Sequence, residues 1–462
     1  MSEEQVANES HPPESLLGSS FQCECGKVHT VPVRKMVLEE DAHLRLAEVF
    51  EELSLPREAC IVADDNTYDV LGGKVLRFLS GAKYGVRNVV IPSPLEGNVR
   101  ADQATADKLL SSLPSVPLLI AVGSGTINDL TKLAAHKREV PYVVLATAPS
   151  MNGYTSSIVA LTVAGLKTTF EARPPVAVVA DLNTLVEAPM ELITSGLGDI
   201  VSKPVSTADW KLAQIVSGEY FCSRPIELVA KFEPLFMGNP AGIKNRRPEA
   251  IRGLTEALLY SGISMVIAGS SSPASGGEHL ISHTLDMQAD LTGRQHDHHG
   301  TQVGVATIFS AALYERVLEE DVPSLDLKAL IAEREDRQQE ITELQRYWGR
   351  LAKVVGEELS AKTVGRAEQQ SGLVTIQEKW DEIRMELRAF LRPWSQIRDV
   401  LREAGGATRI RDIGLSLEQF REAVLHAREM RRRYTILDLS HEFGLLEKHL
   451  DDIIRETGLW TG

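Results

Sequence analysis

The histidines carry the densest chemical signal in this chain. Five of its twelve fall between residues 279 and 299. The segment SGGEHLISHTLDM sets His279 and His283 four residues apart, on one face of a helix. GRQHDHHGTQVGVAT then adds His296, His298 and His299. Upstream, SGLGDIVSK places Asp199 at a glycine-flanked entry to a helix. One Asp with two His predicts a three-ligand divalent metal site that keeps a position open, as catalytic sites do. The pattern is not H-E-x-x-H, because Glu278 directly precedes His279.

A second signal is AVGSGTINDLTKLAA, residues 121–135, where an apolar strand runs into Gly123-Ser124-Gly125 and then into an amphipathic helix. Glycines admit a close backbone approach to a pyrophosphate, and the helix start offers unpaired N–H groups at its positive dipole end. Tight turns use the same glycines, so nucleotide binding and a plain turn both remain open. Asp64 closes the strand CIVA, where an acid holds a ribose diol or simply makes a turn. YVVLATAPSMNGYTSS crowds Thr147, Ser150, Asn152, Tyr154 and Ser156 after the next strand. Open α/β sheets bind ligands at that end, although an ordinary polar loop has the same composition. Finally, FQCECGKVH offers Cys23, Cys25 and His29. A structural zinc site takes four donors, usually with C-x2-C spacing, so this incomplete knuckle is expected to be structural or incidental.

The elements that must position these residues follow from periodicity. CIVA (60–63), NVVI (88–91), LLIAV (118–122), YVVL (142–145) and VAVVA (176–180) are short, β-branched runs bounded by turn residues, as buried parallel strands are. Helical stretches such as TYDVLGGKVLRFLSG and TINDLTKLAAHK lie between them. Beyond about residue 185 the strand signals stop, and long amphipathic helices such as TIQEKWDEIRMELRAFLR take over. The fold class expected is an N-terminal α/β dinucleotide-binding domain with a parallel sheet, then an all-α metal-binding domain. The boundaries expected are a disordered tail over 1–20, the α/β domain over 21–188, and the helical metal and substrate domain over 189–462. A charged excursion is expected near 317–375.

The formal net charge of −15 argues against nucleic acid or an anionic membrane surface as the main partner. No run approaches the roughly 20 uninterrupted apolar residues of a membrane span. The acidic, polar start is not a secretory signal, and four cysteines make no disulfide framework, so a reduced cytoplasmic setting is expected.

As a set, GSGTINDLTK, LATAPSMNGYTSS, PPVAVVADL, GLGDIVSKPVSTADWKLA, GEHLISHTLDM and HGTQVGVAT resemble the iron-containing alcohol dehydrogenase and dehydroquinate synthase-like superfamily. Within it the chain looks most like sn-glycerol-1-phosphate dehydrogenases, especially the bacterial branch found with arabinose genes. AREMRRRYTILDL shares the family look. The resemblance implies hydride transfer from NADH or NADPH to dihydroxyacetone phosphate, giving sn-glycerol 1-phosphate. It implies one divalent ion (zinc, nickel or iron) on Asp199, His279 and His299. It implies a dinucleotide held by Gly123, Ser124, Gly125, Thr126 and Ile127 and lined by Thr147, Ala148, Pro149, Ser150 and Ser156, with Asp64 belonging to the same site. His283 is then expected to face the substrate and Lys203 to neutralise its phosphate. A homo-oligomer is also expected. The chain departs from the family at Asn152, where relatives carry Asp in S-M-D-G. The family's third substrate contact falls at this position, and Asn keeps the size and one acceptor for a substrate hydroxyl but loses the charge. The alternatives are a sugar-phosphate cyclase of dehydroquinate synthase type, a glycerol or polyol dehydrogenase, and a non-catalytic homologue. Asp199 argues against the cyclase, which generally has Glu there.

Overall fold

The computed structural model describes residues 12–94, 98–327, 330, 337–362 and 366–461. The chain begins with a small antiparallel hairpin, β1 (Ser20–Gln22) and β2 (Val28–Thr30). The main sheet is built from β3 (Lys35–Glu39), β4 (Glu58–Asp64), β5 (Gly85–Ile91), β6 (Leu119–Gly123) and β7 (Tyr142–Ala146). A second hairpin follows, β8 (Ile158–Val163) with β9 (Leu166–Glu171), and β10 (Ala177–Asp181) completes the main sheet. The order is β3-β10-β7-β6-β4-β5 and every pair is parallel. The helices of this half are α1 (Leu46–Glu52), the one-turn α2 (Asp65–Thr67), α3 (Gly73–Gly81), α4 (Gln103–Ser112) and α5 (Gly125–Arg138).

The central strands β4, β6, β7 and β10 are buried on both faces, which is why they read as continuous apolar runs. On β6, Leu119 and Ala121 face the packing layer of α4 and α5, while Ile120 and Val122 face that of α1 and α3. The sheet grows one way from β4 to β5 and the other way from β6 to β7. The reversal opens a crevice beyond the carboxyl ends of β4 and β6, where Asp64 and Gly123 sit.

Five strands, β1, β2, β3, β8 and β9, escaped the sequence reading for physical reasons. β3 is an edge strand with one buried residue, Val37. β1 spans only three residues and pairs only with β2. The β8–β9 hairpin lies outside the main sheet and turns at Ala164–Gly165, both with positive φ (52° and 84°), a two-residue turn suited to strand twist.

After β10 the chain is helical: α6 (Leu182–Glu187), α7 (Met190–Ile200), α8 (Lys203–Ser217), α9 (Ser223–Ala230), α10 (Glu233–Met237), α11 (Pro240–Lys244), α12 (Pro248–Ala268), α13 (Gly277–Thr292) and α14 (His299–Glu319). Of the segment expected as a charged excursion, helices span Arg337–Trp348, Ala352–Lys362 and Arg366–Glu378. Residues 328–329, 331–336 and 363–365 lie outside the described residues. α12 is long and apolar enough to cross a membrane, but most of it is buried as a core helix. Of the tail expected to be disordered, residues 1–11 lie outside the described residues, whereas Pro13–Leu16 form a 3-10 turn with Leu16 buried.

Candidate active site

The glycine turn after β6 meets the start of α5 at the sheet reversal. A Cβ on Gly123 would lie 2.6 Å from the Ile127 side chain, so the strand can turn this tightly into the helix only with glycine there. Ser124 is the N-cap residue and makes no side-chain cap, so the first N–H groups of α5 stay available to an anion. Ser124, Thr126, Ile127 and Thr147 line a cleft of about 2040 Å³, and Asp64 lines it from the β4 side. Asp64 also caps α2, accepting from the Thr67 amide at 2.8 Å. Ala148, Pro149 and Ser150 are buried behind the cleft wall.

At its other end the cleft reaches His299, Asp286 and Lys167. Two helices cross there with their backbones in contact. A Cβ on Gly196 would sit 1.8 Å from the Pro149 carbonyl oxygen, and one on Gly198 would sit 2.1 Å from that of Gly300. A Cβ on Gly300 would in turn lie 1.9 Å from the Ser195 carbonyl oxygen. The glycines of α7 and α14 therefore let the helices approach closely enough to bring Asp199 and His299, their chain neighbours, to one place. The first turn of α13 supplies His279, whose Nε2 is 3.5 Å from Asp199 Oδ1. Ring centroids are 5.2 Å apart for His279 and His299, and also for His283 and His299.

The second layer orients these donors. Glu278, fully buried, meets His279 Nδ1 at 2.7 Å and fixes Nε2 as the atom free to ligate. Ser282 does the same for His299, with Oγ 3.2 Å from Nδ1. Asn152 gives Asp199 two hydrogen bonds, from its backbone N–H to Oδ2 at 2.8 Å and from Nδ2 to Oδ1 at 2.9 Å. Burial alone would raise the Asp199 carboxyl, but Lys203 and then His279 outweigh it and hold it below the usual carboxylate range. Burial, reinforced by His279, pushes His299 down to about 4. Burial and the neighbouring His299 hold His283 well below the usual imidazole range. Against burial, Asp199 and then Glu278 hold His279 above the usual imidazole range, so it gives up a proton on ligating an ion, whereas His299 and His283 are held in the neutral form a divalent ion requires. Among the described residues, His283 Nδ1 is buried without a hydrogen-bond partner, a donor or acceptor left for a ligand. A second three-donor group shares the same imidazole: His283, Asp286 and His299 have ligand atoms within 4.8 Å of one another.

Residues 37–189 match the family model described as iron-containing alcohol dehydrogenase. A glycerol-1-phosphate dehydrogenase [NAD(P)+] of Halalkalibacterium halodurans is 35% identical over 296 residues, 64% of this chain and 74% of that protein. The chain belongs to the glycerol-1-phosphate dehydrogenase family. A member from Thermococcus sibiricus is 34% identical over 281 residues, 61% of this chain and 77% of that protein. One from Bacillus licheniformis is 27% identical over 429 residues, 92% of this chain and 93% of that protein. Among solved structures, glycerol dehydrogenase from Schizosaccharomyces pombe shares the fold, with a TM-score of 0.58 and 16% identity over 96% of this chain and 93% of that one.

Two residues expected in the site of this family member do other work. Lys203 lies close to Asp199, but its ammonium is spent on the Asp199 carbonyl at 2.8 Å, Ser202 Oγ at 3.1 Å, the Ala274 carbonyl at 3.1 Å and Asp199 Oδ1 at 3.3 Å. Buried and saturated, it has no proton left for a phosphate; it positions Asp199. Ser156 is 1% exposed and bonds the Gly153 carbonyl, Lys132 Nζ and the Ile158 amide, so it steadies the loop into β8 and is not among the residues that line the cleft. The basic groups that do reach the site were missed. Lys167, on β9, lines the cleft with Nζ 3.5 Å from Asp286. Arg431 donates to the Lys167 carbonyl at 3.0 Å, and both cations act on His283. The only signal for Arg431 was its place in the segment AREMRRRYTILDL.

Proposed function

We propose that this protein reduces dihydroxyacetone phosphate to sn-glycerol 1-phosphate with NADH or NADPH, in a metal-dependent reaction. The observation that carries this reading is one continuous cleft. It has a free helix N-terminus and hydroxyls at one end, and His299 with Lys167 at the other. The names and identities of the curated relatives support the same substrate. Domain roles follow: residues 21–188 hold the dinucleotide and lend Lys167 to the substrate, and residues 189–462 hold the metal and the rest of the substrate site.

The start of α5, from Gly123 to Ile127, binds the pyrophosphate through backbone N–H groups, with Thr147 beside it and Asp64 facing a ribose. Asp199, His279 and His299 would hold the ion; the buried Glu278 behind His279 favours this set over the one containing Asp286, which is tied to Lys167 and His296. When bound, the ion supplies Lewis acidity to the carbonyl and the nicotinamide supplies the hydride. Asn152 and Lys203 hold Asp199 in place. Lys167 and Arg431 attract the substrate phosphate, which selects a phosphorylated triose over glycerol. His283 hydrogen-bonds a substrate hydroxyl through the unpartnered Nδ1. Zinc, nickel and iron all suit an Asp/His/His set, and we further infer a cytoplasmic homo-oligomer.

The test is oxidation of NADH and of NADPH by dihydroxyacetone phosphate, using metal-stripped protein refilled with zinc, nickel or iron. Unphosphorylated dihydroxyacetone is the comparison substrate. Metal-dependent turnover that favours the phosphorylated triose supports the reading. Silence with every ion, once metal and dinucleotide binding are verified, overturns it.

A further inference from the structure

A second set of metal donors closes on itself away from the cleft. The β1–β2 hairpin presents Cys23, Cys25 and His29. The fourth donor, Cys222, comes from the loop between α8 and α9. The four ligand atoms lie within 4.8 Å of one another. Cys23 Sγ is 3.7 Å from Cys222 Sγ, His29 Nε2 is 3.8 Å from Cys222 Sγ, and Cys25 Sγ is 3.2 Å from His29 Nε2. A tetrahedron with Zn–S near 2.3 Å and Zn–N near 2.1 Å separates its donors by about 3.6–3.8 Å. Two of the three contacts already have that separation, and the third needs a shift of about 0.4 Å.

The surroundings are built to hold these four atoms. The Cys23 amide bonds the Lys27 carbonyl at 3.0 Å, and the Gly26 amide bonds the Cys23 carbonyl at 3.0 Å. Gly26 has φ +86°, a conformation that favours glycine, and this reversal brings His29 on β2 back beside Cys25. On the facing loop, Trp210 Nε1 donates to the Tyr220 carbonyl at 2.6 Å and its ring packs on Phe221 at 4.9 Å. Lys27 caps the Tyr220 ring from the hairpin side at 3.3 Å, and Tyr220 Oη reaches Cys25 Sγ at 3.1 Å. His29 and Cys222 are buried, at 5% and 2% exposure. Cys222 lies too far along the chain to be recognised as the missing fourth ligand from sequence, and with it the knuckle expected to be incomplete is complete.

We propose that Cys23, Cys25, His29 and Cys222 bind one zinc ion as a structural site, separate from the catalytic one. Four protein donors leave no open position, so the ion holds chain segments and does no chemistry. The segments are well chosen for that. β2 leads directly into β3, the edge of the dinucleotide sheet, and Cys222 closes the loop after α8, the helix that carries Lys203 beneath Asp199. The ion therefore pins the sheet edge to the helix that backs the active site, closing a very long loop.

The experiment uses the full chain purified under reducing conditions, as wild type and as the double variant His279→Ala/His299→Ala, which empties the catalytic site. Elemental analysis is expected to find one zinc per chain retained by the double variant after mild chelation. A mercurial thiol reagent is expected to release it. Cobalt refilling is expected to give an intense thiolate-to-cobalt charge-transfer band, which an Asp/His/His site cannot produce. Cys222→Ser is expected to lose the ion and melt several degrees lower, whereas His29→Cys keeps four donors and keeps the zinc. Native protein without chelation-resistant zinc overturns the proposal, whether its thiols alkylate rapidly or a Cys23–Cys222 disulfide appears in the peptide map. The outcome does not depend on the dehydrogenase reading, because none of its readouts is activity.

Discussion

Replacing Asn152 by Asp tests the metal-site geometry directly. The Asn152 side chain donates to Asp199 Oδ1 at 2.9 Å. Asn152→Asp puts a second carboxylate oxygen at that distance. Two unit charges about 3 Å apart repel by about 5 kcal/mol at an effective dielectric near 20. Lys203 Nζ, 3.3 Å from the same Asp199 oxygen, offsets part of this. Taking up a proton caps the penalty: an ordinary Asp near 3.9 must be lifted above pH 7, at about 1.36 kcal/mol per unit, or about 4 kcal/mol. The metal-free variant is therefore expected to be about 2–4 kcal/mol less stable than the natural protein at pH 7. A divalent ion between the carboxylates removes the repulsion. By linkage the variant then binds the ion about 30- to 1000-fold more tightly. The sign with pH is fixed as well. The new carboxyl has a folded-state pKa raised above its unfolded value, so the penalty is present at neutral pH and fades as pH falls toward 4. Denaturant melts of stripped protein from pH 4 to 8, with and without added zinc, read both quantities. Equal metal-free stabilities across that range, with equal zinc affinities, would refute the argument that position 152 bears on the metal ligand.

Three further outcomes are expected. Lys167→Met should raise KM for dihydroxyacetone phosphate by about 10- to 100-fold, the weight of one charge-assisted contact, while leaving KM for unphosphorylated dihydroxyacetone unchanged; steady-state kinetics with both substrates checks it. Gly198→Ala adds a methyl 2.1 Å from the Gly300 carbonyl oxygen, so α7 and α14 must part. We expect a loss of about 2–4 kcal/mol of stability and at least tenfold weaker zinc binding, read by melts and equilibrium dialysis. His296 is lifted to about 9 by Asp286 and Asp290, against the opposing effect of burial. Its raised pKa stabilises the fold fully below about pH 6.5, and this contribution, about 1–2 kcal/mol after allowance for partial exposure, is lost as pH rises through 9. His296→Gln should flatten the stability profile over that window.

Sequence and structure meet where a pattern is local. The central parallel strands were legible because each is buried on two faces and so leaves an unbroken apolar run, as LIAVG does in β6. β3 was not, because an edge strand has one covered residue and its composition follows suit. Of the candidate metal ligands, His279 could be singled out by its spacing from His283 on one helix face, and Asp199 by the glycines beside it, where its helix touches another backbone. Lys203 shows the limit of spacing. Four residues after Asp199, it was expected to neutralise a substrate phosphate, but its protons go to Asp199 itself and to a carbonyl at Ala274, 71 residues on. A charged group's role depends on which acceptors are already within reach, and those come from other segments. Lys167, Arg431 and Cys222 were illegible for the same reason. Each is a single residue in an unremarkable local context, and each acquires a role only when loops distant in sequence are brought together. Cys222 makes the point most sharply. Its thiol sits on a loop whose conformation is set by Trp210 and Phe221, and whose neighbours arrive from a hairpin near the start of the chain. Periodicity encodes the face an element buries; it carries no record of which loops that burial will bring into contact, and the chemistry of both candidate metal sites depends on those loops.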